Sequence, residues 1–132
     1  MTLVDTNVVI DVLTADPVWL DWSVEALQGV RDSSIPHINE VTYAELAAGY
    51  VTEAALQRDL DLLRLRLERT PQVGLFLAGR AYAAYRALGG PRTTLFADFF
   101  IGGHAEAAGL PILTRDPRRY RTYFPSVTLI TP

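Results

Sequence analysis

Thr2-Leu3-Val4-Asp5-Thr6-Asn7 is the most informative segment of the chain, because a strand pattern passes into a helix pattern within it. Residues 2–4 predict a short buried strand. Residues 5–7 carry polar side chains of the kind that begin helices, and the apolar residues after them predict a helix over 8–13. Asp5 is therefore expected to end a strand. In a parallel α/β sheet such junctions share one edge, where functional sites form.

Strand and helix patterns continue to alternate along the chain. Further strands are predicted at 36–41, 111–114 and 127–130. Helices are predicted at 17–30, 42–49, 52–68, 75–88 and 97–108, with a short helical turn through 123 and a loop at 92–94. This alternation predicts an α/β fold with three layers, α/β/α, and a mostly parallel central sheet. The length of 132 residues and the lack of a linker predict a single domain over 1–132.

The amino-acid composition excludes several classes of mechanism. All 12 basic residues are arginine, so mechanisms that need a lysine, such as a Schiff base or a phosphate-loop lysine, are excluded. The sequence has no cysteine, which excludes disulfides and thiolate metal sites and agrees with a reducing compartment. We expect a cytoplasmic protein without an export signal or a membrane span. The net charge of −3 provides no general attraction to RNA or DNA.

Four acidic residues lie near points in the sequence where a strand pattern changes to a helix pattern. They are Asp5, Glu45, Asp98 and Asp116. Helix capping explains each of them alone, since Thr42 and Glu45 have the spacing of a capping box and Asp116 precedes Pro117 as a cap would. Together they are expected to converge at one edge of the sheet, where carboxylates repel one another unless a cation binds. An anionic site with only oxygen ligands suits Mg²⁺ or Mn²⁺.

The two histidines are weaker candidates for the site. His104 follows Asp98 by six positions, which places it on a different face of the predicted helix. His37 lies at the start of its strand and not after it. We interpret both as packing or surface residues. Without a suitably placed histidine, lysine or cysteine, the remaining chemistry is attack on a phosphodiester by a metal-activated water.

Four motifs of the chain resemble those of the PIN-domain ribonucleases, specifically the VapC toxins. They are LVDTN at 3–7, TYAELAAG at 42–49, ADFFIGGHA at 97–105 and LPILTRDP at 110–117. They occur in the order and at the intervals expected of that family, and they span nearly the whole chain. The resemblance implies an endoribonuclease. Its metal-binding catalytic acids would be Asp5, Glu45, Asp98 and Asp116, with one or two Mg²⁺ or Mn²⁺ ions.

The resemblance also implies supporting residues and partners. Thr6, Asn7 and Thr114 occupy positions where polar side chains support the acidic pocket of such proteins. The protein would be the toxin of a toxin–antitoxin pair that cleaves RNA and is inhibited by a VapB-type antitoxin lying along a groove. It would form a homodimer that can join a larger toxin–antitoxin assembly.

Four arginines close to Asp116 are candidates for contact with RNA phosphates. They are Arg115, Arg118, Arg119 and Arg121. A solvated turn is the alternative interpretation. Because the overall balance of charge is acidic, contact with RNA has to be local.

Two apolar surfaces are candidates for contact with an antitoxin or a second copy of the chain. One is the face that carries Trp19 and Trp22, and the other is the leucine-rich helix at 52–68, from which Leu62 and Leu65 are expected to project on a second side. Burial in the core is the competing explanation, and it is stronger for Trp22 than for Leu62.

Two pairs of residues depart from the usual pattern of the family. Gly102-Gly103 stands where small residues such as alanine are common, and each glycine costs a helix interior about 1 kcal/mol relative to alanine. Close packing of helices is the simplest reason. Phe99-Phe100 is bulkier than the usual aliphatic pair, which affects the expected shape of the pocket wall.

Two other classes of protein gather carboxylates at the edge of a parallel sheet. A receiver domain and a haloacid-dehalogenase-type phosphatase both require a lysine, which this chain lacks. The alternative that stays open is a PIN-like fold without catalysis that binds RNA or protein. Because degenerate versions usually lose an acid, the presence of all four favours the enzyme.

Overall fold

The computed structural model of the protein describes residues 1–90 and 97–132. Its strands are β1 (Thr2–Val4), β2 (Pro36–Ile38), β3 (Arg66–Leu67), β4 (Ile112–Leu113) and β5 (Leu129–Ile130). Its helices are α1 (Thr6–Leu13), α2 (Leu20–Ser33), α3 (Glu40–Ala47), α4 (Glu53–Leu62), α5 (Gln72–Ala87), α6 (Ala97–Ala108) and α7 (Arg118–Tyr123). The loop predicted at 92–94 lies outside the described residues.

The strands form one parallel sheet in the order β3-β2-β1-β4-β5. Leu3 at its centre pairs with His37 on one side and with Ile112 on the other. Because successive side chains of a strand point to opposite faces, Leu3 and Val4 enter two separate hydrophobic clusters. Helices therefore cover both faces of the sheet, and the predicted three-layer α/β/α fold is confirmed.

The beginning of α3 differs from the prediction. β2 ends at Ile38, and Asn39 is the N-cap residue, with its side-chain oxygen accepting a hydrogen bond from the Thr42 backbone N–H at 3.2 Å. The predicted capping box of Thr42 and Glu45 is therefore wrong. Asn39 supplies the cap three residues earlier, and Glu45 lies in the interior of the helix.

The helix predicted at 52–68 ends early. α4 stops at Leu62, Arg64 adopts a left-handed backbone conformation with φ +58°, and residues 66–67 form β3 at the edge of the sheet. Leu65 is consequently buried in the core with 3% of its surface exposed, whereas Leu62 is 73% exposed. The expectation that both leucines project outward is wrong for Leu65.

α6 has the predicted bounds, and its two consecutive glycines allow close packing. A Cβ added at Gly103 would collide with the backbone oxygen of Gly74 in α5 and lie 2.8 Å from the Ala78 nitrogen. A Cβ at Gly102 would collide with the Phe124 ring. Close packing of α5 and α6 therefore explains Gly103, whereas contact with the Phe124 ring explains Gly102. Within the described residues, the helices are all too short or too polar to cross a lipid bilayer.

Candidate active site

Asp5 lies at the end of β1 and anchors the site. It occupies the N-cap position of α1, but its side chain makes no capping hydrogen bond. Three side chains instead donate to its Oδ2 atom: the hydroxyls of Thr114 at 2.8 Å and Tyr120 at 3.0 Å, and the amide of Asn7 at 3.1 Å. Only 4% of Asp5 is exposed. The carboxylate is therefore fixed at the centre of a hydrogen-bonded cluster.

The electrostatic environment of Asp5 opposes its ionisation. Burial, and then the charge of Asp98, raise its pKa from 3.8 to about 6. The hydrogen bonds from Thr114 and Tyr120 act in the opposite direction, because they stabilise the charged form. A buried carboxylate beside a second acid is the situation that a bound cation would relieve.

Asp98 lies in the first turn of α6. α6 leads into β4, so it runs antiparallel to the strands and its first turn lies at the carboxyl edge of the sheet. Within the described residues, Asp98 does not follow a strand directly. Burial raises the pKa of Asp98, and an ion pair with Arg119, 3.1 Å from Asp98 Oδ2, partly offsets this rise. The charge of Asp98 also raises the pKa of both Asp5 and Glu45.

Glu45 reaches the same edge from α3. Burial is the main cause that raises its pKa, with the charge of Asp98 adding to it and a hydrogen bond with Thr6 opposing it. The Thr6 hydroxyl also lies 3.1 Å from that of Thr42, and both threonines are buried. Thr6 thus connects the beginning of α1 to α3, which carries Glu45.

Asp116 is the most exposed of the four acids. Arg118 holds it with two hydrogen bonds of 2.9 and 3.0 Å, and this contact is the main reason that its pKa lies below the usual value. The N-cap residue of α7 is Pro117, so the capping role predicted for Asp116 is wrong. The Asp116 backbone N–H donates to Thr114 Oγ1 at 3.1 Å, which connects it to the cluster around Asp5.

Asp98 is coupled by charge to each of the other three acids: it raises the pKa of Asp5 and Glu45, and the charge of Asp116 raises the pKa of Asp98. Within residues 1–90 and 97–132, no three Asp, Glu, His or Cys side chains lie close enough together to bind one metal ion. Asp98 and Asp116 pair with Arg119 and Arg118. The donor type is nevertheless the one that a hard divalent cation prefers, since all four groups are carboxylates, and burial raises the pKa of three of them.

The four arginines predicted to contact RNA have different environments. Arg118 and Arg119 form the ion pairs with the acids, and Arg121 is exposed on α7. Arg115 contacts Asp11 and Trp19 instead. Its Nε atom lies 2.8 Å from Oδ2 of the buried Asp11, and its guanidinium stacks 5.4 Å from the centre of the Trp19 ring. Arg115 therefore connects the loop after β4 to α1 and α2.

Two residues of this region were missed by the sequence analysis. Tyr120 resembles an ordinary core tyrosine in the sequence, and its place one turn after Asp116 is the only signal that could have suggested its role. Asp11 follows Asn7 by one helical turn, so it shares a face with that residue. The histidines are packing residues, as expected: His104 is 1% exposed, and its Nδ1 lies 3.3 Å from the Thr70 hydroxyl.

Phe99 helps to build the core beside the site. It is fully buried, with its ring centre 5.5 Å from those of both Tyr85 and Tyr123. Phe100 is half-buried against the same cluster. The bulky Phe99 side chain thus fills space between α5, α6 and α7.

The family model of the PIN domain matches residues 2–125. The chain belongs to the PIN domain family. No curated protein matches the sequence.

Several solved structures are similar to this chain. One is VapBC2 from Rickettsia felis bound to a promoter DNA fragment, with 19% identity, a TM-score of 0.74 and coverage of 98% of this chain and 97% of that one. VapBC-1 from nontypeable Haemophilus influenzae has 18% identity, a TM-score of 0.72 and coverage of 98% and 96%. DNA-bound VapBC from Salmonella typhimurium has 22% identity, a TM-score of 0.68 and coverage of 99% and 98%.

Proposed function

We propose that this PIN domain is a divalent-metal-dependent endoribonuclease and the VapC-like toxin of a toxin–antitoxin pair. Family membership supports a nuclease, because PIN domains are generally nucleases. The likeness of the fold to VapBC complexes supports a toxin. The observation that carries the catalytic proposal is the mutual effect of Asp98 and the other three acids on their pKa values, since this effect requires the four side chains to lie near one another.

The four acids would hold one or two Mg²⁺ or Mn²⁺ ions. When bound, such an ion supplies an activated water and offsets charge on the leaving oxygen of a phosphodiester. Thr114, Asn7 and Tyr120 all donate to Oδ2 of Asp5, which leaves Oδ1 without a side-chain donor among the described contacts. Thr6 supports Glu45 from the other side of the pocket. These residues hold the acids in place.

The arginines of α7 and its preceding loop divide into two groups in this proposal. Arg118 and Arg119 neutralise Asp116 and Asp98 when no cation is bound. A cation that takes over these carboxylates would free the two guanidiniums to contact RNA phosphates, together with the exposed Arg121. Arg115 contributes by holding the loop, because Asp11 and Trp19 already engage it.

The catalytic proposal is tested by cleavage of total cellular RNA with purified protein in Mn²⁺. Asp98→Asn should abolish cleavage and leave the circular dichroism spectrum unchanged, because it removes the charge that links the acids. Asp21→Asn is the matched control, since Asp21 is an exposed acid on α2. Cleavage by Asp98→Asn at the wild-type rate, or no cleavage by the wild-type protein with any divalent ion, would refute catalysis. The second result would favour a binding module.

The proposed antitoxin would bind apolar surface that the fold leaves exposed. Leu62 on α4 is 73% exposed, and Val73 and Phe76 on α5 are 62% and 69% exposed. Exposed apolar side chains of this kind are typical of protein–protein interfaces. We propose that they contact a VapB-type antitoxin or a second copy of the chain in the cytoplasm, in a homodimer or a larger assembly. The Trp19 and Trp22 face is the other candidate surface.

Co-expression with the product of the adjacent reading frame tests these partners. A stable complex that suppresses RNA cleavage is expected. Leu62→Ser should weaken the complex or shift the oligomeric state measured by light scattering, whereas Val51→Ser, at a fully exposed apolar residue outside both candidate surfaces, serves as the control. If Leu62→Ser changes neither property, α4 is not an interface.

A further inference from the structure

A concave site lies at the amino edge of the sheet, opposite the acids. Its volume is about 380 Å³. The end of α2, the beginning of β2 and the connection from α4 to β3 form its walls. Its charged lining residues are Arg31, Arg64, Arg66 and Asp61. We call this space the arginine cavity.

Positive charge exceeds negative charge in the arginine cavity. Arg64 and Arg66 are exposed. In the part of the chain that the structure describes, ion pairs involve only Arg115, Arg118 and Arg119, so neither Arg64 nor Arg66 is neutralised. The single acid, Asp61, already accepts a hydrogen bond from Gln57 at 2.9 Å. Three guanidiniums thus face one occupied carboxylate.

Arg31 is held in a fixed position at the wall of the cavity. Its Nη1 and Nη2 atoms donate to the Leu63 carbonyl at 3.3 Å and to Gln28 at 2.9 Å. Its Nε atom is buried and has no hydrogen-bond partner among the described residues. A buried N–H without an acceptor is unusual in folded proteins. Because Nε is buried, a ligand in the open cavity does not reach it, and Arg31 contributes to the cavity through its positive charge.

Arg64 stands where a helix usually ends on glycine. Its φ of +58° is a left-handed conformation that side chains other than glycine rarely adopt. Its backbone N–H donates to the Asp61 carbonyl at 3.0 Å and closes α4. An arginine at this position accepts backbone strain and keeps a guanidinium beside the cavity, a pattern that marks functional positions.

We propose that the arginine cavity binds a backbone phosphate of RNA at a distance from the catalytic acids. Guanidinium groups match the geometry of phosphate oxygens, and several of them around one cavity offer multiple charge-assisted hydrogen bonds. The chain has a net charge of −3, and its acidic site repels RNA, so attraction has to come from a local basic site. The inference rests on the proposed function, because it assigns a remote contact to the RNA substrate of that nuclease.

Binding of a single-stranded 20-nucleotide RNA of mixed sequence tests the inference. Fluorescence anisotropy between 50 and 200 mM salt, with Asp98→Asn present in every protein to prevent cleavage, gives affinity and its salt dependence. Arg64→Ala/Arg66→Ala should weaken binding about tenfold and lower the logarithmic salt slope by about 0.7, the value for one phosphate of a single strand. Arg64→Lys/Arg66→Lys should retain the slope. Arg80→Ala/Arg86→Ala makes the same charge change on exposed positions of α5 and should have no effect.

Inorganic phosphate and polyglutamate serve as competing probes in the same assay. Competition by phosphate, with RNA binding that depends on Arg64 and Arg66, supports a site for RNA phosphate. Three results overturn the proposal. In the first, phosphate binds at the cavity but Arg64→Ala/Arg66→Ala leaves RNA affinity unchanged. In the second, these substitutions weaken polyglutamate binding as much as RNA binding, and in the third, the α5 control variant loses as much RNA affinity as the cavity variant.

Cleavage by the protein with Asp98 intact separates this inference from the proposed function. If that protein cleaves RNA in Mn²⁺ and Arg64→Ala/Arg66→Ala leaves both KM and RNA affinity unchanged, the cavity inference fails and the nuclease remains. If the cavity variant loses RNA affinity but no divalent ion supports cleavage, the nuclease fails and the phosphate site remains.

Discussion

The Tyr120 hydroxyl donates to Oδ2 of Asp5 across 3.0 Å, and neither side chain has more than 4% of its surface exposed. This contact joins α7, near the end of the chain, to β1 at its beginning. It forms because β4, which leads toward α7, lies beside β1 in the sheet. The position of the first acid therefore depends on the last helix.

Tyr120→Phe should impair catalysis through Asp5 and leave the fold intact. The hydroxyl lowers the pKa of Asp5, so its loss should raise that pKa above about 6. The pH profile of Mn²⁺-dependent cleavage should consequently shift toward higher pH, with a loss of stability of about 0.5–1.5 kcal/mol. Tyr123→Phe on the same helix is the control. Identical pH profiles for Tyr120→Phe and wild type would contradict a role of the hydroxyl.

Ionisation of Asp5 should destabilise the metal-free protein as pH rises. Its pKa is about 6 in the folded state against the ordinary 3.8, so the folded state binds the proton more tightly. Asp5 thus contributes stability that is fully present below about pH 3.8 and is lost as pH rises through 6. The shift corresponds to a contribution on the order of 3 kcal/mol.

Urea unfolding in EDTA between pH 4 and pH 7 measures this contribution. The free energy of unfolding of wild type minus that of Asp5→Asn should fall across this range, and the same difference measured for Asp21→Asn, at an exposed acid, is the control. Mn²⁺ should restore much of the loss above pH 6. If the difference in unfolding free energy between wild type and Asp5→Asn does not change with pH, the pKa of Asp5 in the folded state is near its ordinary value.

Arg115→Met should reduce stability much more than it reduces RNA binding. Asp11 is 1% exposed, and its Oδ1 atom has no partner among the described residues, so losing Arg115 leaves a buried charge unpaired. Removal of one partner of a buried pair costs about 3–5 kcal/mol. Arg121→Met, at an exposed position, should change the free energy of unfolding by less than about 0.5 kcal/mol. A large fall in the salt slope of RNA binding with little loss of stability would place Arg115 on RNA instead.

Gly103→Ala should destabilise the contact between α5 and α6. The added Cβ would collide with the Gly74 carbonyl, and extra volume in packed regions costs about 1–3 kcal/mol. Gly29 in α2 is the matched control, because a Cβ there meets nothing within 4 Å and alanine should stabilise the helix by about 0.5–1 kcal/mol. Thermal unfolding of both variants measures the difference. Equal effects would show that α5 and α6 can separate at little cost.

Local patterns predicted the elements that begin and end on clear changes in polarity. The strand at 2–4 and the helix at 97–108 have the predicted bounds. β3 was missed because leucines at 56, 60, 63 and 67 continue a helical spacing past the real end of α4. The actual stop is the left-handed Arg64, and a sequence gives no warning when arginine takes a position that usually requires glycine.

The site was only partly accessible from the sequence. The four acids were proposed jointly from their motifs, and their role in a metal site stays a prediction. The capping explanations for Glu45 and Asp116 failed because Asn39 and Pro117 occupy those caps. The ion pair of Arg119 with Asp98 and the hydrogen bond of Tyr120 with Asp5 join residues distant in sequence. Such contacts depend on the order of the strands, which local patterns do not determine.

Paramagnetic broadening by Mn²⁺ tests most directly whether the four acids form one metal site. Carboxyl signals of the ¹³C-labelled protein are recorded at pH 7.5 during a titration with substoichiometric Mn²⁺. The signals of Asp5, Glu45, Asp98 and Asp116 should broaden together and first, before those of the exposed Asp21 and Glu106. Broadening that is equal for all exposed acids, or that leaves Asp5 or Asp98 sharp, would contradict a shared metal site and with it the nuclease.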